Sequence, residues 1–347
     1  MRLLILGTGG MARAHAGAFS QIRGVKVVAG VDTVAKNLDT FCANFGIANR
    51  FSSLEEALEW GEFDAVANVT PDPAHHPTTM KLIEAGKHVF CEKPLATDYE
   101  KAKEMADAIE AAGLVGMVNL TYRNVPHLHK ARQLVDQGKV GSVKHVEASY
   151  LQSWLVSDMW GKWNEGSTWL WRLSTAHGSK GVLGDIGIHI LDFMSFGSGL
   201  EVASLDARLQ TFHKAPGDRI GEYVLDANDS FVMSVGFDNG ALGVVHASRW
   251  ATGHINELRL RIYGDKGGLE VVHNPEGSEL RGCLGRDANR AVWKDIAPGK
   301  VPTNYEKFAK AVKAGESLDP MFRRAANIQL LLDLAERSSE TQQRLSV

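Results

Sequence analysis

The chain has 347 residues, 44% of them hydrophobic, and a formal net charge of −3. That length exceeds a usual single domain and suffices to bury substantial cores, so two domains are expected. The near balance of charge gives no reason to expect nucleic acid or an anionic membrane as a partner, and no apolar run approaches membrane-spanning length.

At the amino end an apolar strand, Leu3-Leu4-Ile5-Leu6, runs into Gly7-Thr8-Gly9-Gly10-Met11-Ala12 and then into a helix reaching about Ile22. The apolar run is too brief for a signal sequence and flows directly into the glycine turn. The first glycine permits a tight turn, the second lets the backbone approach a pyrophosphate, and Ala12 at the third position lets helix and strand pack closely. The helix amino terminus then faces the phosphates. A second strand, Val25 to Val31, ends in Asp32, twenty residues beyond Ala12, where an acidic residue binds an adenosine ribose. Alone, the glycines read equally as an ordinary strand, turn and helix. Strand, helix, strand and acid in this order point to dinucleotide binding. Asp32 would repel a 2′-phosphate, and Thr33 and Val34 add no positive charge, so NAD is expected ahead of NADP; Lys36 is the residue that keeps NADP open.

Strands and helices then alternate to about residue 122. Ser53-Leu54-Glu55-Glu56 has the form of a capping box, and Ala65 to Val69 is a strand ending in Thr70-Pro71. Pro77 to Ala85 reads as a helix closed by Gly86, followed by strand His88 to Cys91, a helix from about Asp98 to Ala112 and a strand from Val115 to Leu120. Alternation of this kind builds a parallel, doubly wound sheet. Glu92-Lys93-Pro94 follows the strand at residues 88–91, at the sheet end where open α/β sheets bind ligands. An ammonium there can donate to a substrate oxygen, although a lysine before proline is also simply a solvated turn.

After a helix from Pro126 to Gln137 the pattern changes to strands in succession: Val143 to Leu151, Ser230 to Phe237, Leu242 to Ala247 and Leu258 to Tyr263. Asp238-Asn239-Gly240 and Gly264-Asp265-Lys266-Gly267 read as hairpin turns, which implies a largely antiparallel second sheet. Within this region lies Gly184-Asp185-Ile186-Gly187-Ile188-His189. If helical, it sets Asp185 and His189 on one face, where a carboxylate orients an imidazole suited to proton exchange near neutral pH. A capping aspartate and a packed histidine explain an isolated pair as well.

Trp154, Trp160, Trp163, Trp169 and Trp171 crowd the segment before this pair, together with Gln152, Arg172 and His177. Indole faces stack on sugar rings while amides and guanidinium groups bind hydroxyls; core packing or an oligomer contact accounts for tryptophans equally. His75-His76, His127 and His129 lack ligand spacing with a carboxylate or cysteine, and no metal is expected. Cys42, Cys91 and Cys283 are odd in number and scattered, fitting a reducing, cytoplasmic compartment, with Cys91 a buried strand residue.

The chain resembles the Gfo/Idh/MocA oxidoreductases over essentially its whole length. The resemblance rests on Gly7-x-Gly9-x-x-Ala12, Thr70-Pro71 with His75, Gly86-Lys87-His88-Val89 leading into Glu92-Lys93-Pro94, Asp185-x-Gly187-x-His189, and Tyr263-Gly264-Asp265-Lys266-Gly267. It implies an α/β fold: an N-terminal Rossmann dinucleotide-binding domain, residues 1–122, and a C-terminal α/β domain, residues 123–347, with an open, largely antiparallel mixed sheet. The exposed face of that sheet commonly mediates assembly, here into a homodimer or homotetramer, and the last helix, about Arg323 to Glu340, would cross back to the first domain. By the same resemblance Lys93 lies beside the nicotinamide and binds the reacting hydroxyl, while Asp185 and His189 bind the substrate and exchange its proton. Gly7, Thr8, Gly9, Gly10, Met11, Ala12, Asp32, Thr70, Pro71, His75, Glu92 and Lys93 would contact the cofactor; Tyr122, Arg123, Gln152, Trp171 and Arg172 would join Lys93, Asp185 and His189 on the substrate. The glycine-rich run before Asp185 departs from the family pattern as Gly178-Ser179-Lys180-Gly181, which reshapes the pocket rim.

The expected activity is NAD-dependent hydride transfer to or from a secondary hydroxyl of a neutral sugar, inositol or related polyol, in carbohydrate metabolism. Two alternatives stay open: a glycoside-cleaving enzyme that oxidises its substrate transiently, and a non-catalytic dinucleotide-binding regulator. Joint retention of Lys93, Asp185 and His189 argues against the regulator.

Overall fold

A computed structural model describes residues 1–165 and 167–347, which divide into two compact units: Met1–Asn124 with Pro302–Leu330, and Val125–Val301 with Leu331–Val347. The chain leaves the first unit after Asn124 and contributes Pro302–Leu330 to it again.

In the first unit β1 (Arg2–Leu6), α1 (Gly10–Ser20), β2 (Lys26–Val31), α2 (Ala35–Phe45), β3 (Asn49–Phe51), α3 (Leu54–Trp60), β4 (Ala65–Asn68), α4 (Asp72–Glu84), β5 (His88–Cys91), α5 (Tyr99–Ala111) and β6 (Gly116–Val118) alternate as expected. The strands pair in parallel in the order β3-β2-β1-β4-β5-β6. Leu3, Leu4 and Ile5 are fully buried, which is why β1 is an unbroken apolar run rather than an alternating one: helices cover both faces of such a sheet. Strand order reverses between β1 and β4, and the crevice beyond their carboxyl ends is the ligand position of this fold. Helix α4 starts at Asp72, not Pro77. Pro73 occupies its first turn, where a missing N–H costs nothing, and Pro77 lies inside the helix at the expense of one backbone bond.

The second unit contains α6 (Pro126–Asp136), β7 (Val143–Leu151), α7 (Ser167–Leu170), a wide π-turn (Leu183–Gly187), α8 (Ile188–Ser198), β8 (Val202–Gln210), a ribbon of β9 (Arg219–Ile220) and β10 (Tyr223–Val224), then β11 (Ser230–Phe237), β12 (Leu242–Ser248), β13 (Glu257–Gly264), β14 (Gly267–Asn274), β15 (Gly277–Leu284), β16 (Lys294–Asp295) and β17 (Leu345–Ser346). Among the described residues the sheet order is β16-β15-β14-β13-β7-β12-β11-β8-β17, antiparallel except for the parallel β7–β12 pair. Burial alternates along β11 and β13 because one face packs on α6 and α8 while the other is open. Helix α8 is buried nearly throughout, and Gly197 lets it approach the sheet: a Cβ there would stand 2.3 Å from Leu260. On the open face Val232, Leu242 and Val244 are exposed, aligned across β11 and β12 by the Val232↔His246, Ser234↔Val244 and Gly236↔Leu242 register.

Two further helices close the chain. α9 (Asn304–Ala314) starts with a full capping box from Thr303 and Glu306, and α10 (Phe322–Thr341) belongs to the first unit up to Leu330 and to the second from Leu331.

Candidate active site

The glycine turn after β1 is built for close approach. Gly7 has φ +85°, and a Cβ there would fall 2.7 Å from Val69 O at the end of β4, so glycine alone fits. Gly9 caps α1 without any side-chain hydrogen bond, and a Cβ on Gly9 or Gly10 would meet nothing within 4 Å. The first N–H groups of α1 therefore open onto space, the donor set an anion requires. Met11 is exposed beside it, whereas Ala12 is fully buried against the sheet. Asp32 stands at the next strand end. Its Oδ2 accepts from Thr8 N and Thr8 Oγ1, both at 2.8 Å, and its Oδ1 from Val34 N at 2.8 Å. A fixed carboxylate beside an uncapped helix terminus fits the ribose and pyrophosphate of a dinucleotide.

The loop after β4 is organised by Asn68, whose Oδ1 accepts from Thr70 Oγ1 at 2.7 Å and whose Nδ2 donates to Thr78 and Thr79. His75, fully buried in the first turn of α4, has Nδ1 2.7 Å from Pro94 O and Nε2 2.8 Å from Thr70 O. Both ring nitrogens of His75 face backbone carbonyls, so the ring braces the Thr70 loop to the Lys93-Pro94 loop. The Lys93–Pro94 bond is cis, and Lys93 is half-buried just past β5. Glu92, beside it, accepts from His15 and Asn119; burial favours its neutral form, but the His15 hydrogen bond and charge, Asn119 and the Lys93 ammonium bring it down to about 2.

Arg123 is 2% exposed, and its guanidinium forms an ion pair with Asp319. Neighbouring Tyr122 is half-buried in the same short turn, Thr121–Asn124.

In the second unit Asp185 lies in the π-turn and His189 in the first turn of α8, so the segment is helical but locally widened. Gly184 accommodates the widening: a Cβ there would stand 2.2 Å from Lys180 Cβ. Such turns recur at functional sites. Asp185 Oδ2 accepts from Arg249 Nη2 at 3.1 Å. The Arg249 side chain is fully buried, with Nη1 on Arg172 O at 3.1 Å and the guanidinium 4.9 Å over the Trp154 ring. Burial pulls its pKa down and Asp185 opposes that fall. Arg249 was not singled out from the sequence. A signal existed: Val245 and Ala247 share the inward phase of β12, Arg249 continues that phase one residue past its end, and an arginine there needs an anion.

Gln152 donates to Asn256 Oδ1 at 2.9 Å and accepts from Trp154 Nε1 at 3.0 Å. Trp154 belongs to a satellite core with Leu155, Leu170, Leu173 and Leu225, against which Trp160, Trp163 and Trp169 pack. Trp171 differs, being 41% exposed, with the Arg172 guanidinium 4.4 Å over its ring. In the departing glycine run, Ser179 is buried and donates to Arg172 O at 2.6 Å, while Lys180 is exposed, 3.8 Å from Glu336. His127 contacts Ser278, and His129 packs on Phe196. Among the described residues no three His, Cys, Asp or Glu side chains gather as metal ligands.

Two family models match this chain: the oxidoreductase family NAD-binding Rossmann fold at residues 1–120, and the GFO/IDH/MocA C-terminal domain at residues 128–270. The chain belongs to the Gfo/Idh/MocA oxidoreductase family. It is similar to levoglucosan dehydrogenase of Pseudarthrobacter phenanthrenivorans, 27% identical over 85% of this chain and 83% of that protein, and to inositol 2-dehydrogenase of Rhizobium meliloti, 25% identical over 100% and 99%. Among solved structures it matches an oxidoreductase domain protein from Kribbella flavida with TM-score 0.88 and 29% identity over 99% of this chain and 98% of that one. A levoglucosan dehydrogenase in complex with NADH matches with TM-score 0.87 and 25% identity over 100% and 99%. These named relatives are sugar and polyol dehydrogenases, and the family's first domain binds NAD.

Proposed function

We propose that this protein is an NAD-dependent dehydrogenase acting on a secondary hydroxyl, or the corresponding ketone, of a sugar, inositol or related polyol. The observation that carries the reading is Asp32, locked beside the uncapped amino terminus of α1 by three hydrogen bonds and without a cation in the Thr33-Val34 step that follows it. Gly7 to Ala12, Asp32, Thr70 and Pro71 hold the dinucleotide, which when bound supplies the hydride acceptor or donor. His75 and Glu92 support it from behind.

Lys93 donates to the reacting oxygen and stabilises negative charge as the hydroxyl proton leaves. His189 takes that proton in the oxidative direction and returns it in the reductive one. Asp185, anchored by Arg249, accepts from a substrate hydroxyl or from the imidazolium. The exposed Trp171 ring, backed by Arg172, offers an apolar face to a sugar ring, and Tyr122 contributes a hydroxyl. The buried thiols of Cys42, Cys91 and Cys283 form no disulfide among the described residues, which supports a cytoplasmic setting, and no described helix is long and apolar enough to cross a membrane. The open face with Val232, Leu242 and Val244 supports a homodimer or homotetramer.

A panel of monosaccharides, inositols and anhydrosugars, followed at the nicotinamide absorbance band with NAD and with NADP, tests the reading. Net cofactor reduction by a polyol supports it. Substrate conversion without net reduction would indicate transient oxidation instead.

A further inference from the structure

Beside Lys93 lies a buried polar cluster to which the proposed chemistry assigns no step. His15 projects from α1 with a side chain 0% exposed, its ring edge-on to Phe90 and Tyr305 at 5.7 and 5.5 Å. Its Nε2 is 2.7 Å from Glu92 Oε1, and Asn119 Nδ2 donates to the same oxygen at 2.7 Å. A carboxylate oxygen only accepts, so Nε2 carries the proton. The other oxygen, Oε2, accepts from the Lys93 backbone N–H at 3.2 Å. One oxygen is thus held by the helix and the end of the sheet, and the second holds the lysine's own backbone. A leucine at position 15 would serve the aromatic packing. The histidine instead leaves Nδ1 buried without a hydrogen-bond partner, a cost of about 1–3 kcal/mol that packing does not explain.

We propose that His15 is a positioning residue for Lys93 acting through Glu92: it pins the carboxylate that holds the Lys93 backbone and faces its ammonium, so the donor stands correctly at the reacting oxygen. This rests on the reading that Lys93 polarises that oxygen. The charged or titratable groups facing Glu92 are His15 from α1, Lys93 and Cys91 on its own strand end, and Tyr305 from α9. Burial pushes the Cys91 thiol up and the Tyr305 hydroxyl up to about 12, so neither is charged near neutral pH. Without the His15 donor, burial dominates and the Glu92 carboxyl moves toward neutral pH.

The test compares His15→Leu, which keeps packing and removes the donor, with His15→Gln, which restores an N–H near the Nε2 position. The substrate is whichever of levoglucosan, myo-inositol and glucose turns over fastest. His15→Leu should lower kcat by up to roughly 100-fold, with KM for NAD little changed. Its pH profile should gain an acidic limb between about pH 5 and 8 as Glu92 titrates. That limb should be absent in wild type, in His15→Gln and in the double variant His15→Leu/Glu92→Gln, and His15→Gln should recover most of the rate. A wild-type kcat and profile in His15→Leu overturns the proposal, as does a loss that His15→Gln leaves unrestored with no new limb. Should His15→Leu fail to fold, Glu92→Gln decides: slow turnover supports the clamp, and wild-type turnover overturns it. Lys93→Met separates the two readings. If it turns over like wild type, the role of Lys93 itself fails; if it is slow while His15→Leu is not, only the positioning role fails.

Discussion

A carboxylate inside a protein is tolerated when donors saturate it, and Glu92 and Asp32 show two versions of that rule. Glu92 is held far below its ordinary value of 4.5, at about 2, because His15, Asn119 and Lys93 overcome the effect of burial. Its folded-state pKa is depressed, so the stability it contributes is present above about pH 4.5 and is lost as pH falls toward 2. The shift corresponds to about 3 kcal/mol. Glu92→Gln should therefore be less stable than wild type at pH 6, with the gap closing between pH 4.5 and 2 in urea titrations; a gap independent of pH would contradict the assignment. Asp32 is instead shaped for a ligand. Asp32→Ala should weaken NAD more than NADP, read as the ratio of kcat/KM for the two cofactors, because the carboxylate binds a ribose hydroxyl and repels a 2′-phosphate. A higher kcat/KM with NADP than with NAD in the wild type would reverse the preference and point to Lys36.

At the scale of elements, the π-turn and the residue that follows β12 form one device: the widened helix presents Asp185 and Arg249, just past the strand, continues its inward phase. Arg249→Met should cost on the order of 2 kcal/mol, discounted from the full cost of breaking a buried pair because Asp185 is 32% exposed. In an Asp185→Asn background the same change should cost clearly less. Thermal melts of the four proteins give the coupling, and strict additivity would mean that the pair is not an energetic unit. These contacts also explain what the chain made legible. Strands β1, β4 and β5 were readable because apolar runs stop at glycine, threonine-proline or Glu92-Lys93-Pro94, all local signals. The contacts of Arg123 with Asp319 and of Gln152 with Asn256 span 196 and 104 residues, and no local pattern announces them. His75 was visible as a residue but not as a brace, since its acceptors are backbone carbonyls of two loops. The start of α4 was missed because Pro77 resembles a first-turn proline, a place Pro73 already fills.

For the whole molecule, the open sheet face is the feature that bears on assembly. Val232, Leu242 and Val244 are 55%, 61% and 37% exposed, and the β11–β12 register puts them on one face, with Leu242 and Val244 successive outward positions of β12 and Val232 diagonal to Val244. Beside it the same face carries Glu147, Arg261 and Glu270, joined by Arg261 contacts of 3.1 and 2.5 Å, a polar rim of the kind that borders protein interfaces. A stable interface needs about 800 Å² from each partner, more than these side chains alone, so the rim would be enclosed with them. Val244→Lys and Leu242→Lys set charges among these apolar side chains, where association would have to bury them unpaired. Because both positions are exposed in the single chain, each substitution should change the stability of the fold by no more than about 0.5 kcal/mol. Sedimentation velocity should accordingly show the wild type as a dimer or tetramer and the double variant as a smaller species with an unchanged circular-dichroism spectrum. A wild type that sediments as a monomer, or a double variant that keeps its oligomeric state, would remove this face from the interface.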